Sequence, residues 1–126
     1  MHTKALSLPE RDLLSMRVGF TGVQIKRHPK PYYRIAYRIN LLNDSELSVR
    51  LLGRKWLIIQ HNGNRSIIEA GQVFNAEPIL APGAVFTLFG SLNFPRLPCR
   101  MELRLFGKDQ TGHPFITPPL KLAPEI

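Results

Sequence analysis

With 126 residues, 44% of them hydrophobic, the chain is long enough to bury about two-thirds of its unfolded surface in one domain and too short for two. No apolar run approaches the roughly 20 residues of a membrane-spanning helix, and a single cysteine, Cys99, excludes an internal disulfide framework. Seventeen Lys and Arg against nine Asp and Glu leave a net charge of +8, which points towards anionic partners.

Residues 1–15 read as an N-terminal extension, either a short helical turn capped at Ser7-Leu8-Pro9-Glu10 or a disordered terminus. Lys4, Glu10, Arg11 and Asp12 interrupt any signal-peptide core there, and with the lone cysteine this suggests a cytoplasmic protein. Residues 16–126 read as one domain. It opens with a strand over 16–27 carrying Val18, Phe20, Val23 and Ile25. Tyr33, Ile35, Tyr37, Ile39 and Leu41 then alternate with Arg34, Ala36, Arg38 and Asn40, the period of a half-buried strand. A helical spacing also fits that window; aromatic and β-branched enrichment, and the turn cluster Asn43-Asp44-Ser45, favour the strand.

Leu47, Val49 and Leu51 continue the alternation until Gly53 breaks it, as at a bulge or bend. Trp56-Leu57-Ile58-Ile59 runs on to the Asn62-Gly63 hairpin signal. Further strands are expected at about 65–74, 84–91, 99–107 and 113–122. Proline removes a ladder or helix hydrogen bond wherever it falls, and eight of the eleven prolines lie at position 78 or beyond, which excludes long helices over 78–98 and 114–124. Pro82-Gly83 fits the centre of a type II turn. The pattern as a whole predicts an all-β fold, an antiparallel β-sandwich of about seven strands of immunoglobulin or fibronectin type III-like form.

Within that pattern, Leu51-Leu52-Gly53-Arg54-Lys55-Trp56-Leu57-Ile58-Ile59 followed by Asn62-Gly63 resembles the Leu-Leu-x-Arg-x-Trp-x-Ile strand and Asn-Gly turn of the ApaG family. Tyr33, Ala36-Tyr37, Ile39 and Asn43 are similar to the preceding family strand. Glu77-Pro78, Leu80, Pro82-Gly83 and Phe86 resemble its Pro-x-Leu-x-Pro-Gly-x-x-Phe segment, and Met101, Gly112, Phe115, Pro118-Pro119, Leu120 and Pro124 its closing strands. The resemblance spans roughly 16–124. It implies a fibronectin III-like sandwich, and a module of the kind that occurs alone in bacteria and fused within larger eukaryotic proteins, where such domains look like interaction modules. It also brings an association with cobalt and magnesium tolerance that no residue here explains as metal binding. The family's glycine-rich segment, suspected of cradling a pyrophosphate, falls on Ala70, Gln72 and Asn75, with Gly71 out of register. A phosphate nest needs converging backbone N–H groups that glycine permits, so most of that site is expected to be lost.

The basic residues are patterned. Arg50, Arg100 and Arg104 are expected on one outer sheet face, with Arg54 and Lys55 beside Trp56. Arg54 is expected either to face solvent or to pair with Glu69 or Glu77. These five form the first candidate site, for a protein partner or an anion. Lys26, Arg27, Lys30, Arg34 and Arg38 form a secondary basic patch. A protein partner is the leading expectation. Small-anion binding near 70–77 is the alternative, and self-association through an edge strand is a further possibility. Nucleic acid has thinner support, because Tyr32 beside Lys30 and Arg34 is the one aromatic expected among the cations. Trp56 reads as a core anchor between sheets. His2, His28, His61, His113 and Cys99 are scattered and form neither a zinc spacing nor a catalytic set, so no metal, cofactor or catalytic residue is expected.

Overall fold

Alternation along each segment is realised as strands. A computed structural model of the chain describes residues 11–12, 16–27, 31–71 and 77–125, and its strands are β1 Arg11–Asp12, β2 Met16–Arg27, β3 Tyr33–Asn43, β4 Val49–Ile59, β5 Arg65–Gly71, β6 Ile79–Leu80, β7 Val85–Phe94, β8 Arg100–Asp109, β9 Pro114–Ile116 and β10 Leu120–Leu122. The smaller sheet has the order β2-β3-β7. The larger has the order β1-β9-β8-β4-β5, with β10 also on β8 and β6 also on β4. The fold is an antiparallel β-sandwich, and β1 with β9 is its one parallel pair among the described residues.

The two inner faces close over Ile35, Tyr37, Ile39 and Leu41 of β3, Leu51, Trp56 and Ile58 of β4, and Met101, Leu103 and Leu105 of β8, all buried. Trp56 is 2% exposed and stacks on Tyr37 with ring centroids 5.3 Å apart. That places the indole between the sheets, as the sequence predicts. Gly90 of β7 lies beneath the Tyr37 ring, where a Cβ would overlap Oη, Cζ and Cε2 of the tyrosine.

Turn chemistry fixes the register. Gly83 has φ +82°, and Ala84 N–H donates to the Ala81 carbonyl at 3.0 Å, the expected Pro-Gly turn. Asn43, fully buried, donates from Nδ2 to the carbonyls of Leu47 and Leu80 at 2.8 and 2.9 Å and accepts from the Ser45 amide at 3.1 Å. It thereby clamps the β3–β4 turn onto β6.

Two departures from the predicted elements have local causes. The single strand expected over 113–122 is two, β9 and β10. Pro118 and Pro119 lack the N–H that a ladder needs, and buried Thr117 bonds sideways, its amide to the Leu105 carbonyl at 2.8 Å and its Oγ1 to the Leu105 amide at 2.9 Å. In the N-terminal extension, Arg11–Asp12 pairs with Phe115–Ile116 as a strand, where a helical turn or disorder is expected. The proposed cap at 7–10 lies outside the described residues, as do His2, His28, Lys30 and residues 72–76 of the former glycine-rich segment.

Candidate functional site

An extra residue in β4 decides which cations face outward. The ladder with β8 shifts between Leu51 and Gly53, so Leu52 is the bulged residue and the alternation changes phase. Before it, Arg50 faces outward beside Lys108; after it, Lys55 pairs with Arg104 on the outer side and Arg54 pairs with Leu105 on the inner side. The outer face of the larger sheet therefore carries Arg50, Lys55, Arg100 and Arg104 together, without Arg54.

The rows across this face are set by register. Arg100, Ile59 and Arg65 form one; Glu102, Leu57 and Ile67 the next; Arg104, Lys55 and Glu69 a third; and Lys108, Arg50 and Ile79 a fourth. Arg100 and Lys108 lie eight residues apart on β8, about 26 Å at 3.3 Å per residue, so the cations form a stripe. Acids dilute it: Arg50 pairs with Glu77 at 3.8 Å, Lys55 with Glu69 at 3.6 Å and Arg100 with Glu102 at 3.4 Å. Glu69 and Glu77, considered from the sequence as partners for Arg54, are thus taken by its neighbours. Apolar side chains interleave, with Ile67 and Ile79 65% and 63% exposed. At one end a groove of about 500 Å³ is lined by Arg50, Glu77, Ile79, Lys108 and Gln110.

Two of these rows set like charges directly opposite one another, Arg50 with Lys108 and Lys55 with Arg104. Like charges directly opposite destabilise a sheet, and here Glu77 beside Arg50 and Glu69 beside Lys55 offset part of that cost.

Arg54 turns inward, its guanidinium carbon 5.9 Å from the Tyr37 ring centroid. Its Nη1, the Tyr37 Oη and the Trp56 Nε1 are buried with no hydrogen-bond acceptor among the described residues. Ala70, the register partner of Arg54, leads into the segment suspected of holding anions in the family.

The secondary patch lies on the opposite side of the molecule. Lys26, Arg34 and Arg38 project from the outer face of the smaller sheet, all exposed, while Arg27 is exposed at the end of β2. Tyr32 is half-buried. The exposed aromatic on this face is Phe89, at 68%, which the sequence analysis did not single out. Its orientation follows from register: Leu88 and Gly90 face inward against β3, which obliges the residue between them to face out. Cys99 is exposed, its amide bonded to the Ile59 carbonyl at 2.8 Å. His61 is exposed in its turn. Among the described residues no group of His, Cys, Asp and Glu gathers as metal ligands, and no helix is long and apolar enough to cross a membrane.

A family model for the ApaG domain (DUF525) matches residues 24–102, more than half of the chain. The chain is 34% identical over 94 residues to the protein ApaG of Deinococcus radiodurans, covering 71% of this chain and 73% of that one. The ApaG protein of Methylococcus capsulatus is 30% identical over 74 residues, and there the match spans 59% of the relative's length. A structural-genomics crystal structure superposes with a TM-score of 0.74 at 21% identity over 87% of each chain. The Bordetella pertussis protein called ApaA does so with 0.66 at 19% identity, over 90% of this chain and 94% of that one. The two structural likenesses bear on the fold.

Proposed function

The chain belongs to the ApaG domain family, and we propose that it is a non-catalytic binding module that docks an acidic protein partner on the outer face of its larger sheet. The observation that carries this reading is the pair of like-charge rows, Arg50 opposite Lys108 and Lys55 opposite Arg104. Like charges set opposite one another build a local positive potential, reduced but not cancelled by Glu69 and Glu77, that an approaching carboxylate surface would neutralise. The exposed isoleucines 67 and 79 within the same stripe supply apolar area of the kind that protein interfaces bury. Arginine, with its planar fork, suits the carboxylate contacts. The reading assigns no catalytic residue and no cofactor, and places the protein in the cytoplasm with its partner.

Arg100→Glu combined with Arg104→Glu is the direct test. With the partner captured from the host, the double variant should associate about tenfold or more slowly, with a flatter dependence of on-rate on ionic strength. An unchanged on-rate and salt slope would remove the reading.

A second reading is favoured by a separate observation, the inward guanidinium of Arg54. The Nη1 of Arg54 is buried without a hydrogen-bond partner among the described residues, which is costly, and a small anion such as pyrophosphate or a nucleotide bound at Arg54 would relieve it. Calorimetric titration with pyrophosphate, ATP and a diadenosine polyphosphate separates the two. Micromolar binding abolished by Arg54→Met supports the anion; binding that is millimolar or absent leaves the docking module alone.

A further inference from the structure

The outer face of the smaller sheet differs in kind from that of the larger. Register arranges it in rows: Gly19, Asn40 and Thr87; then Gly22, Arg38 and Phe89; then Gln24, Ala36 and Ser91; then Lys26, Arg34 and Asn93. These positions carry three cations and no carboxylate. Arg17, further along, is already paired with Asp44 at 3.2 Å. Lys26, Arg34 and Arg38 have no acidic partner among the described residues, and Lys26 and Arg34 stand directly opposite one another, a third like-charge pair.

The relief of this face is equally specific. Gly22 and Ala36 leave a trough down its centre. One part, about 340 Å³, is bounded by Gly22, Gln24, Ala36, Arg38 and Phe89. The adjoining part, about 270 Å³, is bounded by Gln24, Lys26, Arg34 and Ala36. Arg38 is held in place, its Nε donating to Thr21 Oγ1 at 3.0 Å, with Nη2 3.8 Å from where a Gly22 Cβ would stand. Beside it Phe89 offers an open ring face in the adjacent strand. Arg34 Nη2 donates to Ser91 Oγ at 3.5 Å. The remaining side chains are amides and hydroxyls, able to donate and accept.

We infer that this face is a binding surface for a short single-stranded nucleic acid, with one base stacked on Phe89 and the backbone phosphates running over Arg38 towards Arg34 and Lys26. A flat sheet with an exposed aromatic and flanking cations is the arrangement that single strands need, because every base has a π-face and every linkage a charge. Arg38 and Arg34 lie four residues apart on β3, about 13 Å at 3.3 Å per residue, so they reach separate phosphates. A duplex keeps its bases stacked inside and cannot use Phe89. An acidic peptide would use the cations without the ring. The surface is independent of the docking face proposed above, on the other sheet.

Fluorescence anisotropy with labelled 12-mers of uridine and of thymidine, a DNA duplex and polyglutamate tests the assignment on the full chain. Single strands should bind most tightly, and the uridine and thymidine arms tell RNA from DNA. Phe89→Ala should weaken binding about 5- to 150-fold without altering the salt slope. Arg38→Ala and Arg34→Ala should each lower the slope of log K against log salt by about 0.7. Arg65→Ala, an exposed cation on the larger sheet, is the charge-matched control and should change little. Full retention of affinity in Phe89→Ala, equal binding of duplex or polyglutamate, or a slope indifferent to Arg38 each overturns the proposal. Phe89 is largely exposed, so its truncation should leave the melting temperature within a few degrees, which circular dichroism checks.

Discussion

Replacing Gly90 with alanine tests the packing on which both faces are built. The added Cβ would overlap three atoms of the Tyr37 side chain, and Tyr37 is stacked on Trp56. The tyrosine is 5% exposed and fixed between the sheets, so the ring cannot swing into solvent without opening the core. Overpacking of this kind costs about 1–3 kcal/mol, and disturbing the aromatic pair adds about 0.5–1.5 kcal/mol. Together they predict a loss of about 2–4 kcal/mol. At about 4 °C per kcal/mol for a domain of this size, the melting temperature should fall by roughly 8–16 °C. Urea unfolding followed by Trp56 fluorescence reads the change directly, with an unaltered m-value if the native state stays compact. Tyr37→Leu removes all three overlapped atoms, so adding Gly90→Ala in that background should cost far less, a coupling of at least about 1 kcal/mol in the double-mutant cycle. A Gly90→Ala variant within about 0.5 kcal/mol of the parent, or strict additivity with Tyr37→Leu, would refute the reasoning.

Asn43→Ala should cost about 2–4 kcal/mol, because it strips the carbonyls of Leu47 and Leu80 of their donor and the Ser45 amide of its acceptor inside the fold; chemical denaturation measures it. Asp109→Ala should loosen the β8–β9 turn by about 1–3 kcal/mol, since Oδ1 accepts from the amides of Thr111 and His113 at 2.8 and 3.1 Å, and hydrogen exchange should quicken at 110–113 first. Arg104→Glu places a carboxylate opposite Lys55, which is already paired with Glu69 at 3.6 Å. It should change stability by no more than about 0.5 kcal/mol in chemical denaturation while weakening partner capture from extract. Undiminished capture by Arg104→Glu would contradict docking on this face.

The sandwich was legible in the sequence because alternation is a local signal. Ile35, Tyr37, Ile39 and Leu41 announce their burial by spacing alone, and the Asn-Gly and Pro-Gly turns mark where the chain reverses. The site was legible only in part. Arg50, Arg100 and Arg104 fall on one face as their spacing predicts, because no bulge interrupts β8. Arg54 was left open between solvent and an internal carboxylate; the single extra residue at Leu52 turns it inward, half-buried over Tyr37 and without a carboxylate among the described residues, because one residue of phase reverses the side of every residue after it. Phe89 was overlooked because Phe86, Leu88 and Phe89 together read as generic apolar content; only the register of β7 on β3 separates the outward ring from the inward two. The split at Pro118-Pro119 was implicit in the missing N–H groups, yet the sideways bonding of Thr117 that ends β9 depends on Leu105, distant in sequence.

The separation of roles between the two sheets is tested most directly by capturing proteins from host extract on three immobilised forms: the parent, Arg100→Glu/Arg104→Glu, and Arg34→Glu/Arg38→Glu. The account predicts a protein retained by the parent and by the smaller-sheet variant, lost from the larger-sheet variant, and released by raising the salt. Identical protein sets on all three, or a partner lost only when Arg34 and Arg38 are reversed, would contradict it.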